Sequence, residues 1–235
     1  MSFVSFVVDR SIRFSLLALA LLFCVSASAA AQDPEDRRPI PQTDDTAPAV
    51  SLRPFVMGAE QAFSAVNTFD AVFGQSREPF FGGGLQVVFG GRFYAEASAS
   101  RFRKTGERAF RANGENFRLG VPLTADITPF EVTGGYRFPL SRRASVVPYV
   151  AAGFGSYAYK ETSPSSEPGE NVDTRHAGFV ANGGVEFRLH RWVGLSVDAQ
   201  YTHIPGILGA LGISKAAAEN DLGGVAARFK VIVGR

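Results

Sequence analysis

The sequence predicts an all-β fold, an eight-stranded antiparallel up-and-down barrel whose strands cross a membrane. Three observations carry that prediction. Apolar and polar residues alternate with a period of two in eight separate runs, the mark of half-buried strands. The connections between those runs are alternately short and long. Aromatic residues gather toward the ends of the runs, leaving their middles to smaller apolar side chains.

Organisation comes first from the N-terminus. Arg10 and Arg13 precede the apolar run Phe14 to Val25, which leads into SASAAA. This is the layout of a secretory signal peptide, expected over residues 1–31 with cleavage after Ala31. The run is shorter than the roughly twenty residues that a spanning helix needs. Residues 32–50, QDPEDRRPIPQTDDTAPAV, mix proline with charges of both signs and carry no apolar period, so they read as a flexible periplasmic leader. The barrel is expected over 51–235. The single cysteine, Cys24, lies within the signal and leaves the mature chain without a thiol. A formal net charge of +2 gives no ground for nucleic acid as a partner.

The strands are expected at about 51–63, 80–89, 92–104, 117–138, 146–161, 176–189, 193–204 and 223–234. The first carries Gly58 and Glu60 on its polar parity, the second Gly84, and the third Glu96 and Ser98. The fourth alternates Phe130, Val132, Gly134, Tyr136 and Phe138 with Glu131, Gly135 and Arg137. Above Pro129 its apolar parity changes to Leu123, Ala125 and Ile127, so a β-bulge is expected near Thr128 and Pro129, or else an early end to the strand. The fifth contributes Tyr149, Tyr157 and Tyr159. The sixth and seventh form the hairpin GFVANGGVEFRLHRWVGLSVDAQYTH. There Phe179, Ala181, Val185 and Phe187 oppose Asn182, Glu186 and Arg188, and Leu195, Val197 and Tyr201 oppose Ser196, Asp198 and Gln200. The eighth alternates Val225, Ala227, Phe229, Val231 and Val233 with Gly224, Arg228 and Lys230. Connections at 90–91, 139–145 and 190–192 are short, whereas 64–79, 105–116, 162–175 and 205–222 are long. In a bacterial barrel the short ones are periplasmic turns and the long ones extracellular loops, which puts both termini in the periplasm.

Alternation alone fits a lipocalin-like barrel with its apolar face inside as well as a membrane barrel with that face outside. Two aromatic belts favour the membrane. Phe89, Phe93, Phe138, Tyr149, Phe187 and Trp192 are expected near the periplasmic rim, and Phe81, Tyr157, Tyr159, Phe179 and Tyr201 near the outer one. The polar parity is mostly Gly and Ser, room for a few large polar groups inside a narrow barrel. Those groups are expected to form a lumen charge network of Glu60, Glu96, Glu131, Glu186 and Asp198 with Arg137, Arg188, Arg228 and Lys230. Strands of about ten residues, tilted by some 40°, cover the apolar height of an outer membrane.

From Ser51 to Arg235 the chain resembles the small outer-membrane β-barrel proteins of the OmpA, OmpX and OmpW types. The final run GGVAARFKVIVGR is similar to the C-terminal signal read by the barrel-assembly machinery, although it ends in Gly234 and Arg235 where an aromatic residue is usual. The resemblance implies an outer-membrane location, assembly by that machinery and a monomer in outer-membrane lipid and lipopolysaccharide.

Three functions compete: a structural or adhesive barrel with a closed polar interior, a narrow pore for small solutes, and a lipid-modifying enzyme. The first is expected, with no catalytic residue, cofactor or metal. An enzyme needs a histidine beside a serine and a carboxylate at the outer rim. Only His176 and His203 lie near that rim, with Thr174 and Thr202 as the nearest hydroxyls. The acids Glu161, Glu167, Glu170 and Asp173 lack the spacing of a calcium loop. The basic stretch RFRKTGERAFR places Arg101, Arg103, Lys104, Arg108 and Arg111 where lipopolysaccharide phosphates lie, and arginine suits phosphate. A merely solvated basic loop is the equal alternative.

Overall fold

The computed structural model describes residues 50–112, 115–139, 145–164, 171–209 and 212–234. The expected signal peptide and leader lie outside these residues, except for Val50, which opens the first strand. Eight strands follow: β1 (Val50–Phe63), β2 (Arg77–Phe89), β3 (Phe93–Ala112), β4 (Glu115–Arg137), β5 (Val146–Thr162), β6 (Val172–His190), β7 (Val193–His203) and β8 (Gly224–Val233). Each pairs antiparallel with its sequence neighbour, and β8 pairs with β1 to close the barrel. Helix α1 (Val66–Phe73) lies between β1 and β2, and the short helix α2 (Gly212–Ala216) lies between β7 and β8.

The registers fix the stagger. Partners run from Arg53 through Gln86, Glu96, Thr133, Gly153, Val180, Thr202 and Gly224 to Phe63, so one circuit closes ten residues further along β1. Such a shear tilts the strands by about 40°. The tightest turn uses Gly90 and Gly91 at φ +56° and +72°, the paired left-handed conformation that a two-residue hairpin demands.

Outward positions are apolar over a band in which Val56, Leu85, Val132, Val150, Val197 and Phe229 are exposed. Phe89, Phe93, Phe138 and Trp192 are exposed at the end bearing the short turns. Phe81, Phe130, Phe154, Phe179 and Tyr201 are exposed toward the loop end, where Phe154 and Phe179 meet edge to face. Three tyrosines expected in those belts are inside instead: Tyr149, Tyr157 and Tyr159 are all buried. Small inward residues accommodate them, since a Cβ on Gly155 or Gly178 would come within 2.8 Å of the Tyr157 ring or its hydroxyl.

Two further expectations are corrected. The bulge at Thr128 and Pro129 is absent: the register of β4 against β5 is unbroken there, and Leu123, Ala125, Ile127, Pro129, Glu131 and Thr133 all point inward. What changes along β4 is the lumen it faces. The register shift lies higher, between Glu107 and Ala109 against β4. The expected long loop at 105–116 is instead mostly strand, because β3 and β4 continue pairing up to Ala112 and Glu115.

Candidate functional site: a filled lumen and a covered mouth

The lumen has two storeys. In the half nearer the chain termini, one connected set of charged and polar side chains fills it. Arg53 on β1 grips Glu186 on β6 across the barrel with two hydrogen bonds of 3.0 and 2.6 Å. Arg137 on β4 donates to the same carboxylate at 2.7 Å, and Arg188 lies 3.7 Å from it at the more open rim. Arg53 also donates to Gln86, which donates to Glu96. Glu96 takes a 2.6 Å bond from Lys230, itself 3.6 Å from Asp198. Asp198 accepts from Arg228 at 2.5 Å and from the Tyr149 hydroxyl at 2.5 Å. Arg228 approaches Glu131 at 3.9 Å, and Glu131 accepts from Tyr157 and Gln200. Carboxylates removed from water need such partners, and here every one has at least two.

Of the nine lumen charges expected, eight belong to this set. Glu60 does not: it is exposed on the outer surface, with Gly58 on the same parity, because β1 turns Arg53, Phe55, Met57 and Phe63 inward. Arg53 is the cation that sequence reasoning missed. Replacing Glu60 by Arg53 turns the expected acid excess into four carboxylates facing five cations. The tyrosine hydroxyls, also unforeseen, complete the carboxylate shells.

Above this storey the interior is largely apolar, interrupted by the inward Lys104–Glu78 pair, which corrects the expectation of a polar lumen throughout. Phe63, Phe69, Phe80, Phe102, Ala125, Ile127, Tyr157, Ile204 and Leu222 form one buried cluster. Phe63 stacks on Phe69 of α1 at 3.8 Å, and Phe80 on Phe102 at 5.4 Å. The residual cavity between the storeys is about 30 Å³, room for a water or two, and touches Gln200, Arg228 and Ile127.

The mouth is held shut by loop contacts. Helix α1 starts after Ala65, whose side chain caps nothing. Glu219 in the β7–β8 connection replaces the cap, accepting from the backbone N–H groups of Asn67 and Thr68 at 2.9 and 2.8 Å and from both their side chains. Partial burial pushes the Glu219 carboxyl up, but the bonds from Thr68 and Asn67 outweigh it and hold the group below its ordinary value. Asp221 nearby accepts from the amides of Ile204 and Gly223 and from His203 at 2.7 Å. It is likewise held low, with burial opposing those bonds.

The basic stretch is divided by strand parity. Arg101 and Arg103 are exposed on the outer wall, where Arg101 pairs with Asp126. Lys104 turns inward instead and bonds Glu78 at 2.6 Å, so it is withdrawn from the outer surface. Arg108 is half-buried, and the Arg111 side chain lies outside the described residues. Lys160, which sequence reasoning did not select, borders the same outer groove as Arg101, Asp126 and Thr128. His176 meets the Thr174 hydroxyl at 3.1 Å, and Lys160 pairs with Asp173 at 2.8 Å. Glu161 accepts from Tyr159, whereas Glu167 and Glu170 lie outside the described residues. Among the described residues no three His, Cys, Asp or Glu side chains gather as a metal site.

The closed antiparallel ring with its apolar exterior is in keeping with the family to which the sequence is similar. The "Outer membrane protein beta-barrel domain" profile matches residues 16–229. The chain belongs to that family of outer-membrane β-barrels. No curated protein matches its sequence. Among solved structures it is similar to the outer membrane protein OprG of Pseudomonas aeruginosa, at 12% identity over 80% of this chain and 96% of that one, with a TM-score of 0.49. The N-terminal β-barrel domain of OprF from the same organism gives 12%, 79%, 97% and 0.45. The attachment invasion locus protein Ail of Yersinia pestis, in complex with a heparin analogue, gives 13%, 79%, 97% and 0.47.

Proposed function

We propose that this outer-membrane barrel is a non-conducting, non-enzymatic anchor that presents its loop end at the cell surface, in a structural or adhesive role. The observation that carries the reading is the filled lumen: ion pairs occupy one storey and aromatic side chains the other. In this reading both termini are periplasmic, and the signal peptide delivers the chain to the barrel-assembly machinery. The full chain reconstituted in a planar bilayer is expected to stay silent. Sustained unitary currents would overturn the closed reading.

The outward Arg101 and Arg103, with Lys160, support seating in lipopolysaccharide, because they stand just beyond the exposed Phe81, Phe130 and Phe154 on the outer wall. Arg101→Gln with Lys160→Gln is expected to lower the thermal midpoint in lipopolysaccharide-containing vesicles but not in phosphatidylcholine. Equal loss in both would remove the lipid contact. The apolar upper storey favours a second reading, a site for small apolar solutes under α1, but the ionic storey beneath it bars passage through the barrel axis.

A further inference from the structure

The barrel end bearing the short turns carries arginines with no acid to answer them. Glu96, Glu186 and Asp198, the described carboxylates nearest that end, are all buried in the lumen network. Arg188 is turned toward Glu186. Arg92 and Arg191 are exposed, and neither guanidinium has an ion-pair or hydrogen-bond partner among the described residues.

Each of these two stands on an aromatic footing. Arg92 follows the Gly90–Gly91 turn, where a Cβ at either glycine would meet nothing within 4 Å, so nothing crowds the cation. Its carbonyl accepts from the Arg137 N–H at 2.7 Å. That bond sets it at the head of an outward ladder in which Phe93 meets Tyr136 edge to face at 5.1 Å and Tyr136 meets Phe138 at 4.9 Å. In the β6–β7 turn the Arg191 guanidinium lies 5.9 Å from the Trp192 ring, with Leu189 exposed at the end of β6. Cation at the tip and rings behind it outline an amphiphile with an anionic head. Aromatic side chains seat at headgroup level, and a guanidinium just beyond them reaches phosphate oxygens with paired, charge-assisted bonds. The want of an exposed carboxylate decides between headgroups. A zwitterionic lipid brings an ammonium that the rim repels and no acid receives, whereas an anionic one brings the phosphate alone.

We propose that the turn end of the barrel selects anionic glycerophospholipid, with an uncharged headgroup alcohol, from the leaflet around it. Two stations do so: Arg92 with Phe93 and Phe138, and Arg191 with Trp192. That this leaflet is the periplasmic one rests on the orientation given above. The selection itself goes beyond the closed-lumen reading and does not depend on it.

Trp192 is the single tryptophan of the chain, so its fluorescence reports on one station directly. The full chain is folded into vesicles of phosphatidylcholine mixed with phosphatidylglycerol, with bromine on the acyl chains of one lipid or the other. At equal mole fractions brominated phosphatidylglycerol is expected to quench Trp192 as though about fivefold enriched, the weight of one arginine at an anionic surface. Arg191→Gln should bring both lipids to the quenching that their bulk fractions give, and Arg191→Lys should restore part of the difference. Phe93→Trp in a Trp192→Phe background reads the other station, where Arg92→Gln should have the same effect. Each variant is first checked for the unboiled gel mobility of a folded barrel. Equal quenching by both lipids in the unaltered protein, or enrichment that survives Arg191→Gln and Arg92→Gln at their stations, would overturn the proposal. So would loss of the enrichment to inorganic phosphate or to polyglutamate added on both sides of the bilayer, the marks of a free-ion site and of an acidic-polymer site. A conducting planar bilayer would sink the closed lumen and leave these outcomes as they stand.

Discussion

Asp198 is where the ion network is most sensitive, because it joins Arg228, its register partner on β8, to Lys230 and Tyr149. Removing it strands a buried guanidinium, so Asp198→Ala is expected to cost about 3–5 kcal/mol in a urea titration of the lipid-folded barrel. Arg228→Ala in that background should cost much less than it does alone. Simple additivity would show that the two do not share a network. Glu60→Gln is the contrasting case: on an exposed outer position it should shift stability by no more than about 0.5 kcal/mol, against a large loss for Glu96→Gln. A parallel titration of these two variants decides which acid is inside. The error over Glu60 has a physical source. In β1 both parities hold apolar residues, with Leu52 and Val56 facing lipid and Phe55, Met57 and Phe63 facing the lumen, so a period of two carries no sign. Arg53 was hidden by the same ambiguity. Where one parity is polar or small, as throughout β7 and in β8 up to Lys230, Ser196, Asp198, Arg228 and Lys230 were legible at once.

Helix α1 depends on a loop distant in sequence. With no cap of its own, its first N–H groups are answered by Glu219, whose negative charge also suits the positive end of the helix. The folded carboxyl titrates below its unfolded value. Its stabilising contribution is therefore complete above the ordinary carboxylate range and is lost as pH falls through the lowered folded value. Asp221 acts in the same sense. Acidification should lower the protection factors over 66–73, taken against the intrinsic exchange rate at each pH, before those of the strands, and Glu219→Gln should lower them already at neutral pH. If α1 keeps the same protection factors in both proteins at every pH, Glu219 is not the latch. Neither helix was legible in the sequence, where 64–79 and 205–222 read only as long connections. Their apolar residues, among them Phe69, Ile207 and Leu222, find a core solely inside a barrel mouth that the strands must first create. The same mouth explains the misplaced bulge, since Leu123, Ala125 and Ile127 are apolar and inward because those loops fold over them.

At the scale of the whole molecule, the exterior and the ionic storey were readable from period and spacing, while the apolar storey was not, because it is built from segments that share no period. A closed ring pairs every strand with two neighbours around the barrel wall, so the folded barrel should keep its compact mobility in detergent gels until it is boiled. Mobility that is the same before and after boiling would argue against a closed ring. The ten-residue stagger has a consequence for how the ring is completed. Side-chain parity repeats every two residues, so β1 could meet β8 one step of two too early or too late and still keep its apolar face to lipid. Hydrophobicity cannot tell those closures apart. The ion pairs can, because such a slip carries Arg53 about 7 Å along its strand, far beyond reach of Glu186 on the opposite wall. The buried charges thus act as a registration mark, proofreading the seam at the moment the last two strands meet.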